Sequence, residues 1–111
     1  MDLIDFEKLF NSSFDIEKLK ERAIKGIRLY ISDNEIISEF KDCLPSNVKM
    51  EDLVYEYVGV TIFINRTYCE GYPFFRVRYR LNEPVKNKPI FFYDLEFNCF
   101  LEVMDDYFNV I

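Results

Sequence analysis

Three arginines alternate along one stretch of the chain, Arg76, Arg78 and Arg80. Five carboxylates without a basic residue, Asp94, Glu96, Glu102, Asp105 and Asp106, occupy the stretch from Asp94 to Ile111. Paired carboxylates can act as general acid and base, and clustered ones can hold Mg²⁺. The spacing favours neither chemistry. Asp105 and Asp106 are adjacent, so a regular strand points them to opposite faces. Asp94 and Glu96 share a face, but arginines opposite them would keep both ionised and structural. A two-carboxylate glycosidase needs a sugar cleft that 111 residues leave little room to build. The chain has no histidine, so imidazole acid–base chemistry and His metal sites are absent. Its three glycines are scattered, which leaves no phosphate loop. Cys43, Cys69 and Cys99 are odd in number and widely spaced, the pattern of free thiols in a reducing compartment. We therefore expect no enzyme, no metal and no cofactor, and recognition rather than catalysis.

The elements that must position these side chains divide near Pro45. Apolar residues make up half of the chain and aromatics 18%, with 12 Phe and 8 Tyr, enough for one folded core. The expectation is a single domain over 1–111, with a helical part over 1–45 and a sheet part over 53–111. In the helical part, Leu3, Phe6 and Phe10 predict a short first helix ended by Asn11-Ser12-Ser13. Ile16, Leu19, Ala23, Ile27 and Tyr30 line one side of a second helix over Asp15–Ile31, with charges on the other. Gly26 interrupts it at a cost of about 1 kcal/mol relative to Ala, which a close packing contact would explain. Ser32-Asp33-Asn34-Glu35 fits a capping box for a third helix that Pro45 stops.

In the sheet part the apolar period is two. Along Leu53–Asn65, the parity of Val54, Val58, Val60, Ile62 and Ile64 predicts an inward set. Tyr55, Tyr57, Gly59, Thr61 and Phe63 then face outward. Phe75, Val77, Tyr79 and Leu81 face inward on a second strand, with the arginines outward. Phe91, Tyr93, Leu95 and Phe97 face inward on a third. Asn98-Cys99-Phe100 makes a tight turn to a short fourth strand. There Leu101 and Val103 point inward, and a bulge falls at Asp105-Asp106. The fold class expected is α+β: three N-terminal helices packed on one face of a four-stranded antiparallel meander.

A hairpin around Val85-Lys86 would set Arg78 opposite Asp94, Arg76 opposite Glu96 and Arg80 opposite Phe92, matching most of the arginine row with acid. Tyr57, Thr61 and Phe63 would lie beside that row. Aromatics mixed with arginine are the composition of protein interfaces. Single-stranded RNA platforms share that mixture. The overall balance, 14 basic residues against 20 acidic for a net charge of −6, argues against nucleic acid and for a basic protein partner. Early acids at Asp2, Asp5 and Glu7 do not read as a secretory leader, and no apolar run approaches the ~20 residues of a membrane span. A cytoplasmic protein is the expectation.

The cadence Tyr93-Asp94-Leu95-Glu96-Phe97, a tight turn, then Phe100-Leu101-Glu102 and Asp105-Asp106-Tyr107-Phe108 resembles small bacterial immunity proteins of contact-dependent inhibition and polymorphic toxin systems. The turn here carries Asn98-Cys99-Phe100 where that pattern usually has a glycine. The resemblance implies a cytosolic antitoxin that binds a cognate toxin domain and occludes its active site. Charge adds that the toxin is basic, a nuclease being the natural case. On that reading Glu102, Asp105 and Asp106 meet basic residues of the partner. Tyr57, Phe63, Tyr68 and Tyr72 supply apolar anchors, and Arg76, Arg78 and Arg80 border the contact. Alone, such a chain would be a monomer or weak dimer. The competing readings are a phage-type inhibitor of a nucleic-acid-binding protein, similar to an anti-CRISPR, and a scaffold that self-associates through a sheet edge or outer face.

Overall fold

The computed structural model describes residues 1–65 and 71–111. Three helices lead: α1 (Leu3–Ser13), α2 (Ile16–Ile31) and α3 (Asn34–Phe40). Four strands follow, β1 (Val54–Phe63), β2 (Phe74–Asn82), β3 (Pro89–Asn98) and β4 (Val103–Val110). They form one antiparallel sheet in the order β1-β2-β3-β4, the expected α+β meander.

Each helix starts on an aspartate. Asp2 accepts from the Asp5 amide, Asp15 from Lys18, and Asp33 from Glu35 and Ile36. Asp33 thus takes the place expected of Ser32, whose hydroxyl instead turns back to the Arg28 carbonyl at 2.7 Å and closes α2. α1 runs through Asn11-Ser12-Ser13 rather than stopping there. Both serine hydroxyls bond back to the Leu9 carbonyl, so neither competes to break the turn.

The core lies between α2 and the sheet. Leu19, Ala23 and Ile27 of α2 pack against Phe75, Val77, Tyr79 and Leu81 of β2 and Phe91, Tyr93, Leu95 and Phe97 of β3. Cross-strand pairing sets these inward residues against one another: Phe75 with Phe97, Val77 with Leu95, Tyr79 with Tyr93, Leu81 with Phe91. Ile36, Ile37, Phe40 and Leu44 lap over the same core from α3 and the turn after it.

Two strands depart from simple alternation. β1 slips register between Tyr57 and Gly59, where Gly59 has φ +152°. Only glycine takes that conformation freely, and it absorbs an extra residue. Beyond the bulge, Val60 and Ile62 pair with Val77 and Phe75 on the core face, as expected. Before it the parity reverses. Tyr55 and Tyr57 pair with Leu81 and Tyr79 and lie under the helices, while Val54 is exposed. The second correction is on β4, whose slip falls at Met104, one residue before the expected Asp105-Asp106. Leu101 does not enter the strand. It sits in the turn at φ +64°, its carbonyl accepting from Arg22.

Candidate interaction surface

The outer sheet face is built on the register expected from charge. Arg78 pairs with Asp94, Arg76 with Glu96 and Arg80 with Phe92. Arg78 grips Asp94 in a two-bonded fork, Nε to Oδ1 at 2.7 Å and Nη2 to Oδ2 at 2.8 Å. That bond raises the guanidinium pKa further above its ordinary value. Arg76 Nε donates to Glu96 Oε1 at 2.8 Å. Both carboxylates are buried, Asp94 at 3% exposure and Glu96 at 4%, so each depends on its arginine for compensation.

Aromatic rings fill the gaps between charges. The Arg76 guanidinium lies over Phe63 of β1 at 5.0 Å and over Tyr107 of β4 at 4.5 Å. Arg78 lies over Phe92 at 4.4 Å. Phe63 also stacks on Phe74, centroids 4.5 Å apart. Arg80 meets the carboxylate of Glu56 only at 3.8 Å, a half-exposed and weak pair. Among the described residues, three arginines therefore share the face with four carboxylates, Glu56, Asp94, Glu96 and Asp105, so a phosphate backbone meets no surplus of positive charge from them.

The candidate contact residues separate into distinct places. Phe63, Arg76, Arg78 and Arg80 come together on the outer face. Tyr57 does not join them: it is on the core face, edge to ring with Tyr79 and beneath the Lys20 ammonium at 4.3 Å. Burial pushes its hydroxyl pKa up, with smaller contributions from Glu17 and Glu7. Tyr68 lies outside the described residues.

The two adjacent aspartates point apart, as alternation requires. Asp105 is exposed on the outer face across from Glu96. Asp106 turns toward the helices, where its Oδ1 accepts from Tyr30 at 3.0 Å and its Oδ2 from Tyr93 at 2.9 Å. It ties α2 to β3 and β4, each of its oxygens engaged by a tyrosine inside the fold. Burial first, then these bonds, push the Tyr30 hydroxyl up to about 12, and Tyr93 higher still.

The remaining two candidates meet at the β3–β4 end of the sheet. Tyr72, Pro73, Asn98, Phe100, Glu102 and Met104 line a hollow of about 560 Å³. Tyr72 and Phe100 touch edge to face, centroids 5.9 Å apart. Asn98 holds the turn in shape. Its side-chain oxygen accepts from the amides of Phe100 and Glu102, both at 2.9 Å, and its amide donates to Glu102 Oε1 at 3.0 Å. Those bonds maintain a turn without glycine and leave Phe100 facing out. Phe100 and Met104 were not among the sequence candidates. Their signal is two large apolar residues in and beside a tight turn, where polar ones are usual.

Among the described residues no three His, Cys, Asp or Glu side chains gather as a ligand set for a metal, and no helix is long and apolar enough to cross a membrane. No protein-family model matches the chain, no curated protein matches its sequence, and no solved structure matches its fold.

Proposed function

We propose that this chain is a protein inhibitor of the immunity type, which neutralises a cognate basic toxin domain, a nuclease in the form we favour, by covering its active site. The observation that carries the reading is the β3–β4 end. Tyr72, Phe100 and Met104 are 52%, 67% and 43% exposed there, side by side with Glu102, and the exposed Asp105 follows on the same hairpin. Apolar anchors with Glu102 and Asp105 beside them suit a basic partner cleft. The anchors supply burial, and the acids steer encounter and oppose the partner's cations. An interface of ordinary size, roughly 1,600 Å² in total, would need this end and part of the outer face. In this reading the protein works in the cytoplasm, where the toxin's target is.

The test takes any toxin domain found encoded beside this chain. The inhibitor should bind it in pull-down and restore growth to cells expressing it, with an affinity that falls as salt rises. Glu102→Lys and Asp105→Lys should each weaken binding about tenfold and flatten the salt dependence. Phe100→Ala should weaken it by increasing dissociation. A toxin domain that ignores this protein, or binding untouched by all three changes, would refute the reading.

A further inference from the structure

We propose that the chain also pairs with a second copy of itself through the β1 edge, as a weak, reversible dimer. This goes beyond the toxin-binding reading and does not depend on it. β1 is a terminal strand, and among the described residues nothing pairs with its free side. Exposed edges are ordinarily protected by lysine, proline, an inward charge or a bulge. Here the bulge at Val58/Gly59 and Glu56 protect only the first half. The second half, Val60-Thr61-Ile62-Phe63-Ile64, carries no charge and is rich in residues that favour strands.

Between the two sheet edges, the one without charge is the one a second copy can pair with at least like-charge repulsion. A two-fold antiparallel pairing centred on Ile62 sets Ile62 against itself and Val60 against Ile64 of the other copy. Glu56 then falls beyond the paired stretch, so no acid meets its image. The opposite edge differs: β4 carries Asp105 and Asp106 mid-strand, and self-pairing there would bring acids alongside acids.

Apolar surface continues from the edge onto α1, which buries no residue although it carries Leu3, Phe6 and Leu9 along one stripe. Phe6 joins the strand directly, lining one hollow with Val58 and Ile62, which Glu7 borders, and an adjoining one with Ile62 and Ile64. Together Leu3, Phe6, Leu9, Val58, Ile62 and Ile64 expose about three whole side chains' worth of surface. That is on the order of 500 Å² per copy, somewhat less than the ~800 Å² per partner of a standard interface. An interface of this size yields a dimer that forms at high concentration and dissociates on dilution.

The protein alone suffices for the test. Sedimentation equilibrium from micromolar to millimolar concentration should show a monomer–dimer equilibrium. Amide exchange over Val60–Ile64 should slow as concentration rises. Ile64→Lys and, independently, Leu9→Lys change exposed residues and should weaken association at least about tenfold with circular dichroism unchanged. Asp105→Asn on the far edge should leave it as it was. A wild-type chain that stays monomeric, a dimer indifferent to both lysine substitutions, or one strengthened by Asp105→Asn would overturn the proposal.

Discussion

Gly26 on α2 and Tyr93 on β3 are fitted to each other. A Cβ at position 26 would overlap the Tyr93 hydroxyl and approach its Cζ to 2.7 Å. The absent side chain is what lets the tyrosine run beneath the helix and reach Asp106. Intrinsic propensity would favour alanine at this helical position by about 1 kcal/mol. Overpacking a rigid ring against backbone costs more, about 1–3 kcal/mol. Gly26→Ala should therefore lower stability by up to about 2 kcal/mol net, read as a lower urea midpoint at constant slope. Tyr93→Phe should recover part of that loss in the double variant, since it removes the overlapping atom.

The Tyr30–Asp106–Tyr93 contact predicts alkaline behaviour. The ordinary tyrosine value is 10.0, and Tyr30 is pushed up to about 12. Half-buried Tyr30 and buried Tyr93 both stay neutral in the fold after the unfolded chain has begun to ionise. Their contribution to stability is thus complete below pH 10.0 and is lost as pH rises through the folded values, about 12 for Tyr30 and higher for Tyr93. Tyrosinate absorbance should show Tyr30 and Tyr93 among the late-titrating groups, their ionisation coinciding with loss of helix signal. Asp106→Asn should move the Tyr30 titration down from about 12 while leaving it above 10.0, because burial is the larger cause. A variant titrating with exposed tyrosines would contradict this account of the contact.

At the acid end the β2–β3 turn should fail first. Burial alone would raise the Glu83 carboxyl. The amides of Lys86, Val85, Lys88 and Asn87 outweigh it and hold the group below its ordinary 4.5. A depressed carboxylate stabilises the fold above its unfolded value and ceases to do so as pH falls below about 4.5 and through the lower folded value. Amide exchange in the 83–88 turn should accelerate over that range. Glu83→Gln should abolish the pH dependence of exchange there, while the turn opens more readily at neutral pH.

Arg78→Ala should destabilise the protein by about 1–3 kcal/mol, because it leaves Asp94 buried without its fork of hydrogen bonds. Asp94→Ala should cost less, since Arg78 is 42% exposed and can turn to water. Joint replacement, Arg78→Leu with Asp94→Leu, should be close to neutral. Thermal unfolding checks all three, and a near-zero coupling in the cycle completed by the Arg78→Ala, Asp94→Ala double variant would show that the fork is incidental.

The helices, the meander and the central register could be read from residues 15–45 and 74–98 because there local signals agree. The apolar period of α2 is uninterrupted, and opposite charges fix β2 against β3 in only one way that keeps Phe75, Val77, Tyr79 and Leu81 together. β1 misled because parity assumes an unbroken count of two, and one inserted residue reverses it. The signal was Gly59 in a strand interior, a position where glycine often marks a bulge. Asp106 misled for another reason. An acid beside an acid reads as surface, and nothing local reveals that two tyrosines, one of them more than seventy positions away in sequence, will claim its oxygens. The hairpin end was half legible: Glu102 and Tyr72 stood out by type, whereas Phe100 depends on how Asn98 shapes the turn.

Phe63, Arg76, Glu96 and Tyr107 come one from each strand, and a single guanidinium touches the other three. Such a transverse strut means that neither margin of the sheet can peel away by itself without unclasping Arg76. Opening should accordingly be all-or-none across the four strands. The molecule would then offer proteases and chaperones a closed sheet or an unfolded chain, with few half-unravelled forms between.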